Sequence, residues 1–201
     1  HHVTAGVGGM ALTNDPELNL IIRSLANHGR DTDYLPGYKQ TTDITRRFRF
    51  DRVGYSCRGT EFEAVLGLSQ MAELGPSVSL RKYVFEKLHE SLRCFPDLVV
   101  HDCGGGNSAF VFPIVLREDS DVSKYDLCQH LEDAGIETRD MMPITNQPCY
   151  KHLVNEDDFT VAKWINRCGF YVPCNQGMTA KDVQYITDSI GAYLDKKRNK
   201  V

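Results

Sequence analysis

The first residues of this 201-residue chain combine two histidines with a glycine-rich turn. His1 and His2 precede Val3-Thr4, and the turn Gly6-Val7-Gly8-Gly9 follows. An imidazole has a pKa of about 6.5, so a histidine is suited to moving a single proton near neutral pH. Two histidines at the start of a chain are also typical of the end of an affinity tag. The pattern therefore predicts either a proton-transfer site or a tag remnant, and both interpretations stay open.

Two further segments carry side chains that could move protons or bind anions. His28 precedes Gly29 and Arg30 at the predicted end of a helix, where a histidine either takes part in chemistry or interacts favourably with the helix dipole. Ser56 and Arg58 stand just before a predicted helix N-terminus, a common place for anion binding. The structural alternatives are a solvated Arg30 and a loop that Arg58 holds in place.

The first helix is predicted to follow a short strand at residues 10–13. Asn14 or Asp15 caps this helix, Pro16 lies in its first turn, and Gly29 ends it. Its apolar residues repeat with the helical period, so one face is expected to be buried. The residues of that face are Leu18, Ile21, Ile22 and Leu25.

A second helix is predicted to begin at Thr60, whose spacing to Glu63 resembles a capping box. Gly75-Pro76 is expected to break the chain, and a long helix is expected at about 78–94. The side chains expected to face inward from the second helix are Phe62, Val65, Leu66 and either Met71 or Leu74.

Beyond residue 95 short strands alternate with helices, a pattern typical of an α+β unit. The predicted strands are 98–101, 109–116, 136–138 and 170–172, and the predicted helices are about 122–134, 158–167 and 180–195. The inward stripe of the first of these helices is predicted to carry Val122, Tyr125, Cys128 and Leu131, and that of the last helix Val183, Ile186, Ile190 and Leu194. The domain boundary is therefore placed near Gly75-Pro76 or within the long helix after it, and the domains are taken as 1–75 and 76–201.

The composition narrows the class of protein. The net charge is −4, and basic residues cluster only in the tail at 196–200, so we expect no nucleic-acid partner. No segment approaches the roughly 18 apolar residues of a membrane span, so we expect no membrane association. The seven cysteines are odd in number and lack CxxC spacing. This usage predicts a reduced, cytoplasmic chain with small buried thiols, no disulfide framework and no metal site.

Seven segments, in this order along the chain, resemble the DegT/DnrJ/EryC1/StrS family of sugar-nucleotide aminotransferases and their dehydrase relatives. They are Thr4-Ala5-Gly6-Val7-Gly8-Gly9-Met10 with Thr13-Asn14-Asp15, Arg23-Ser24 with His28-Gly29-Arg30, Gly54-Tyr55-Ser56-Cys57-Arg58-Gly59-Thr60-Glu61, Ala64 with Gly67-Leu68, Gly135-Ile136-Glu137-Thr138-Arg139, Gln147-Pro148-Cys149-Tyr150, and Gly169-Phe170. The resemblance implies an α/β fold, the C-terminal portion of the PLP-dependent aspartate-aminotransferase fold. Residues 1–75 would be the end of the large PLP-binding domain, and residues 76–201 the small α+β domain.

By this resemblance His1 takes the place of the lysine that holds PLP covalently. In the sugar 3-dehydrases of the family a histidine replaces that lysine, typically as His-His before Ile/Val-Thr and a glycine turn, which is the pattern of His1-His2-Val3-Thr4. A histidine cannot hold PLP covalently but can move a proton, which favours 3-dehydration of a nucleotide-linked 4-keto sugar. Two alternatives stay open: a sugar-nucleotide aminotransferase whose lysine is lost upstream, and a truncated, catalytically silent module that dimerises.

The resemblance also implies roles for the other candidate residues. His28 would be a second catalytic residue, and Ser56 and Arg58 would bind the phosphate of PLP or PMP in a homodimer. The family usually has asparagine where Ser56 stands. The serine side chain is shorter, so it is expected to reach less far toward the phosphate. Most of the cofactor site lies upstream of this chain in the family.

The nucleotide-sugar substrate would contact three further residues, Arg30, Arg139 and Thr145. Aminotransferases of the family often carry a histidine where Thr145 stands, so the substrate contact at this position is expected to differ.

Overall fold

In a computed structural model of the chain, the described residues are 2–30, 48–102 and 104–199. The chain divides into two compact units, Val3–Ala72 and Glu73–Val201, and His2 belongs with the later unit. We call them the first unit and the second unit. The fold of each unit is described by itself.

Helix α1 of the first unit spans Pro16–Ala26. The Asp15 carboxylate accepts the backbone N–H groups of Glu17 at 2.8 Å and Leu18 at 3.1 Å, which confirms the predicted cap. Residues 10–13 form no strand, so that prediction is wrong. A strand needs a hydrogen-bonded neighbour, and the described part of this unit offers only the isolated bridges Asn27–Ser56 and Arg30–Phe50.

Helix α2 spans Glu61–Leu92 without interruption, so the predicted break at Gly75-Pro76 is wrong. Proline disfavours helical geometry in the preceding residue partly through that residue's Cβ, and Gly75 has none. The Gly75 carbonyl also accepts the Ser79 hydroxyl at 3.1 Å. The predicted start of this helix is confirmed, since the Thr60 N–H donates to Glu63 Oε2 at 2.7 Å.

The apolar faces predicted for the first unit are more exposed than expected. On α1 Leu18 is 46% exposed, and the only fully buried side chain is Ser24. On the first half of α2 every predicted inward residue except Leu74 is exposed, and Phe62 reaches 84%. The described residues of this unit therefore do not cover the faces that the helical period marks as apolar.

A four-stranded antiparallel sheet organises the second unit, with strand order β1-β2-β4-β3. The strands are β1 (Leu98–Val99), β2 (Phe112–Leu116), β3 (Arg139–Asp140) and β4 (Gly169–Val172). Three of the four overlap their predicted positions. The strand predicted at 136–138 is wrong: Ile136 enters the core, and the pairing with β4 begins only at Arg139.

Three further helices complete the second unit: α3 (Lys124–Asp133), α4 (Thr160–Cys168) and α5 (Ala180–Arg198). The inward face predicted for α5 is confirmed. Ile190 is fully buried, and the other residues of that face, Val183, Ile186 and Leu194, are at most 5% exposed. On α3 the prediction is wrong for Tyr125, which is 75% exposed, and Leu127 is buried instead.

The core of the second unit lies between the sheet and the later half of α2. Phe85 of α2 packs on Phe112 of β2, with ring centroids 4.7 Å apart. Leu88, Ile114 and Leu131 are completely buried in the same cluster. Contiguous apolar burial of this kind is the main stabilising contribution to a domain.

The cysteines are less buried than predicted. None of those that the structure describes forms a disulfide, yet only Cys174 is buried. Cys57, Cys94 and Cys149 are exposed because they lie in loops or at a helix end rather than on inward faces.

Candidate functional site

Two glycines hold the end of α1 against the segment that precedes α2. Gly29 has a φ of +78°, and a Cβ there would lie 1.9 Å from the carbonyl oxygen of Arg52. A Cβ at Gly54 would lie 2.1 Å from the Gly29 nitrogen. No side chain fits at either position, so residues 27–30 and 50–57 pack backbone against backbone.

His28 lies at this crossing with a left-handed backbone. Its φ is +63°, a region that few residues other than glycine adopt, and its N–H donates to the Tyr55 carbonyl at 2.7 Å. The Tyr55 N–H in turn donates to Leu25 at 2.7 Å. Backbone geometry of this kind recurs at functional sites, where the surrounding structure must hold it in place. The crossing thus fixes the direction in which the imidazole leaves the backbone.

Arg30 follows at the same crossing. Its backbone carbonyl accepts the buried Ser24 hydroxyl at 2.6 Å, and its Nε is buried without a hydrogen-bond partner among the described residues. Arg52 Nη1 also reaches the Ser24 hydroxyl, at 3.4 Å. A buried guanidinium N–H that lacks an acceptor is suited to receiving one from a ligand.

Ser56 and Arg58 lie at the exposed end of this crossing. Ser56 bridges to Asn27, and Arg58 Nη2 donates to Ser56 Oγ at 3.4 Å. A hydroxyl and a guanidinium this close can both donate to one phosphate group. The structure thus brings His28, Arg30 and Ser56 into one region of the first unit.

Arg139 lies in the second unit, on the wall of a cavity of about 280 Å³. Its guanidinium donates to Glu137 Oε1 from Nε at 2.9 Å and from Nη2 at 2.7 Å. This bond to Glu137, reinforced by the carboxylate's charge, raises the pKa of Arg139. Arg81, Phe110 and Tyr171 line the same cavity.

Thr145 lines a different cleft, of about 790 Å³. It lies in a short 3-10 turn, Ile144–Asn146, and its hydroxyl is buried without a hydrogen-bond partner among the described residues. Lys151, His152 and Asn155 also line this cleft. Arg139 and Thr145, predicted to contact one substrate, therefore border two separate cavities of the second unit.

His2 was predicted only as a member of the His1-His2 pair, without a role or a contact of its own. Its Nε2 lies 2.7 Å from Ser108 Oγ, and its ring meets that of Phe110 edge to face at a centroid distance of 6.3 Å. Burial, with a smaller contribution from the Arg81 charge, lowers the pKa of His2. No local pattern links residues 2 and 108, so only a long-range contact could single out this histidine.

His1, the predicted catalytic histidine, lies outside the described residues. Within the described ranges no group of three or more histidine, cysteine or carboxylate side chains is arranged to hold a metal ion. None of the helices there combines the length and the apolar character needed to cross a bilayer.

Comparison with known proteins groups the chain with sugar-modifying enzymes. A sequence profile of the DegT/DnrJ/EryC1/StrS aminotransferase family matches residues 1–191. The dTDP-4-dehydro-2,6-dideoxy-D-glucose 3-dehydratase of Saccharopolyspora spinosa is 29% identical over 215 residues, which cover 98% of this chain and 46% of that protein. The GDP-perosamine synthase of Caulobacter vibrioides is 28% identical over 198 residues, with coverage of 96% and 49%.

A solved structure shares the fold. The GDP-4-keto-6-deoxymannose-3-dehydratase with a trapped PLP-glutamate geminal diamine superposes with a TM-score of 0.77 at 24% identity, over 89% of this chain and 49% of that one. This likeness confirms the predicted fold. The chain spans about half the length of the relatives it matches.

Proposed function

The chain belongs to the DegT/DnrJ/EryC1/StrS aminotransferase family, and we propose that the protein acts with PLP or PMP on a nucleotide-linked 4-keto sugar. The observation that carries this proposal is the family match over residues 1–191. Both a sugar 3-dehydratase and a perosamine synthase are similar to nearly the whole chain. These relatives support the substrate class, while the choice between dehydration and transamination depends on individual residues.

The donor set at Ser56 and Arg58 fits the phosphate of such a cofactor. Both side chains are exposed and already adjacent, so a phosphate can accept from both without a rearrangement of the backbone. The Thr60 N–H at the start of α2 is engaged by Glu63, which leaves phosphate binding to the side chains. When bound, PMP supplies an amine for the 4-keto group and an electron sink for the adjacent carbon.

We propose 3-dehydration as the reaction because His1 stands where the family has its cofactor lysine. The first lysine of the chain is Lys39, far from the glycine turn. In this proposal the His1 imidazole would be the base for the proton that must be removed when the 3-hydroxyl leaves, and His28 would assist from its fixed left-handed backbone position. Arg30, Arg139 and Thr145 are proposed to contact the nucleotide sugar.

A direct test supplies the purified chain with PMP and either a GDP-linked or a dTDP-linked 4-keto-6-deoxy sugar, and identifies products by mass spectrometry. Loss of water at C3, abolished in His1→Asn, is the expected result. A 4-amino sugar as the product would instead support the aminotransferase alternative. No product and no cofactor absorbance would support the catalytically silent module and contradict the enzyme.

We also propose a cytoplasmic homodimer. The exposed apolar side chains at the start of α2 support association, because contiguous apolar surface favours burial against a second chain. The free thiols among the described cysteines are consistent with a reducing compartment. Light scattering coupled to gel filtration should give twice the chain mass, and a monomer would contradict the dimer.

A further inference from the structure

We propose that His2, Ser108 and Arg81 form a binding site for the oxyanion group, a carboxylate or a phosphate, of a small reactant. The site lies wholly within the second unit. That the ligand is a reactant rests on the proposed function, whereas binding of the oxyanion does not.

Two buried nitrogens without acceptors mark this site. His2 Nδ1 and Arg81 Nε are both buried, and neither has a hydrogen-bond partner among the described residues. Buried polar groups in proteins are nearly always satisfied, so unpaired nitrogens of this kind point to a ligand that satisfies them. Arg81 Nε donates a proton, and His2 Nδ1 does so in the tautomer in which Nε2 accepts the Ser108 hydroxyl, so a ligand rich in acceptors satisfies both nitrogens.

Other contacts hold the two side chains in place. Ser108 Oγ fixes the imidazole by its 2.7 Å contact with Nε2, which leaves Nδ1 as the ring nitrogen available to a ligand. Arg81 Nη1 donates to the carbonyls of Cys174 at 2.8 Å and Phe110 at 3.3 Å. Because its ring also meets His2, Phe110 connects the two halves of the site. Polar groups fixed in advance lose little entropy when a ligand binds.

The charge near this site favours an anion. The described residues give Arg81 no carboxylate partner, and its positive charge reaches His2 strongly enough to help lower the pKa of that histidine. Arg139, on the same cavity wall as Arg81, is matched by Glu137. One guanidinium charge therefore remains for a ligand.

Arg81 and Phe110 also lie on the wall of a cavity of about 280 Å³, which therefore adjoins this site.

Calorimetric titration of the whole chain, without PMP and at constant ionic strength, tests this site. The probes are L-glutamate, glutarate and inorganic phosphate, with sodium chloride as the control. We expect saturable 1:1 binding of at least one probe. Preference for glutamate and glutarate would identify a carboxylate ligand, and preference for phosphate a phosphoryl group. Absence of saturable binding by all three would overturn the proposal.

Variants connect the binding to these residues. Arg81→Gln and Ser108→Ala should each weaken binding, by about tenfold or more for the first because a charge-assisted bond is lost. Arg93→Gln, which removes an exposed charge just beyond the end of α2, should leave the affinity unchanged. If Arg81→Gln fails to fold, Ser108→Ala decides the matter, since it leaves both carbonyl contacts of Arg81 intact. Unchanged affinity in Ser108→Ala would overturn the site.

The result of the binding experiment can be distinguished from the result of the activity test of the proposed function. Oxyanion binding is measured without cofactor or sugar, so a chain that binds a probe but forms no product would contradict only the proposed reaction. A chain that forms the dehydrated product but binds no probe would contradict only this site.

Discussion

The two halves of helix α2 have similar apolar content and opposite environments. In the first half Phe62, Val65 and Leu68 are exposed by 64% or more, while in the second half Phe85 and Leu88 are at most 2% exposed. The difference is one of partners: the second half packs on a sheet within its own unit, and the described residues of the first unit offer no comparable surface. The spacing of apolar residues along a helix therefore predicts which face can be buried. The tertiary structure decides whether another element packs on that face.

The largest expected effect comes from the buried half of α2. Leu88→Ala should lower the free energy of unfolding by about 2–5 kcal/mol, because it opens a cavity in a fully packed core. Leu68→Ala, on the exposed half, should change the free energy of unfolding of the monomer by no more than about 0.5 kcal/mol. Urea unfolding followed by circular dichroism measures both. A comparable loss in Leu68→Ala would show that the exposed half is covered in solution.

A second prediction compares a glycine that has no space for a Cβ with one that has open space around it. Gly29→Ala should destabilise the first unit by about 2 kcal/mol or more, since the new Cβ would collide with the Arg52 carbonyl at a positive φ. Gly105→Ala in the second unit meets nothing within 4 Å and should be close to neutral. Hydrogen exchange resolved by mass spectrometry should locate the loss in residues 16–30 and 50–57. Equal protection in both variants would contradict the packed crossing.

Each unit contains one buried polar side chain among those described, Ser24 in the first and Lys124 in the second. Lys124 Nζ donates to Asp140 at 2.6 Å and to the Asn166 carbonyl at 2.7 Å. Lys124→Ala and Ser24→Ala should each cost about 1–3 kcal/mol, because buried carbonyls lose their donors. Only Ser24→Ala should also disturb Arg30, whose carbonyl that hydroxyl binds.

Thermal melts of the two variants, with activity measured beside them, check this contrast. If both variants change activity equally, the connection between Ser24 and the proposed substrate contact at Arg30 is lost.

The smallest expected effect is a pH dependence at His2. Burial and the Arg81 charge lower its folded-state pKa, so the imidazole is neutral in the folded chain at neutral pH. Its contribution to stability is present above the unfolded pKa and is lost as the pH falls through the folded value. Imidazole NMR should show a midpoint below about 6.5, and Arg81→Gln should raise it. A midpoint that Arg81→Gln does not move would contradict the proximity of the two side chains.

Local patterns predicted many of the elements correctly. The caps at Asp15 and Thr60 and the inward face of α5 follow from interactions within a few residues, and a sequence displays such interactions directly. The break predicted at Gly75-Pro76 failed because the glycine relieves part of the steric conflict that proline imposes. The prediction of a strand at 136–138 was wrong because Ile136 packs into the core and forms no pair with a neighbouring strand.

The residues of the candidate site likewise include some that the sequence could select and some that only the folded structure could. His28, Ser56 and Arg58 could be selected from the sequence because they stand at a helix end or before a helix start, where local chemistry is predictable. The contact of His2 with Ser108 crosses more than one hundred residues and has no local signature. The separation of Arg139 and Thr145 into two cavities was likewise decided by the path of the chain between them.

By itself the sequence determined the family and the positions of most helices and strands, because each of these depends on residue identity and short-range order. Only the tertiary structure decided which apolar faces are covered, how Gly29 and Gly54 meet, and which nitrogens are buried without a partner. The physical reason is that burial and hydrogen bonding require two surfaces in contact. Segments that are distant in sequence come into contact only when the chain folds.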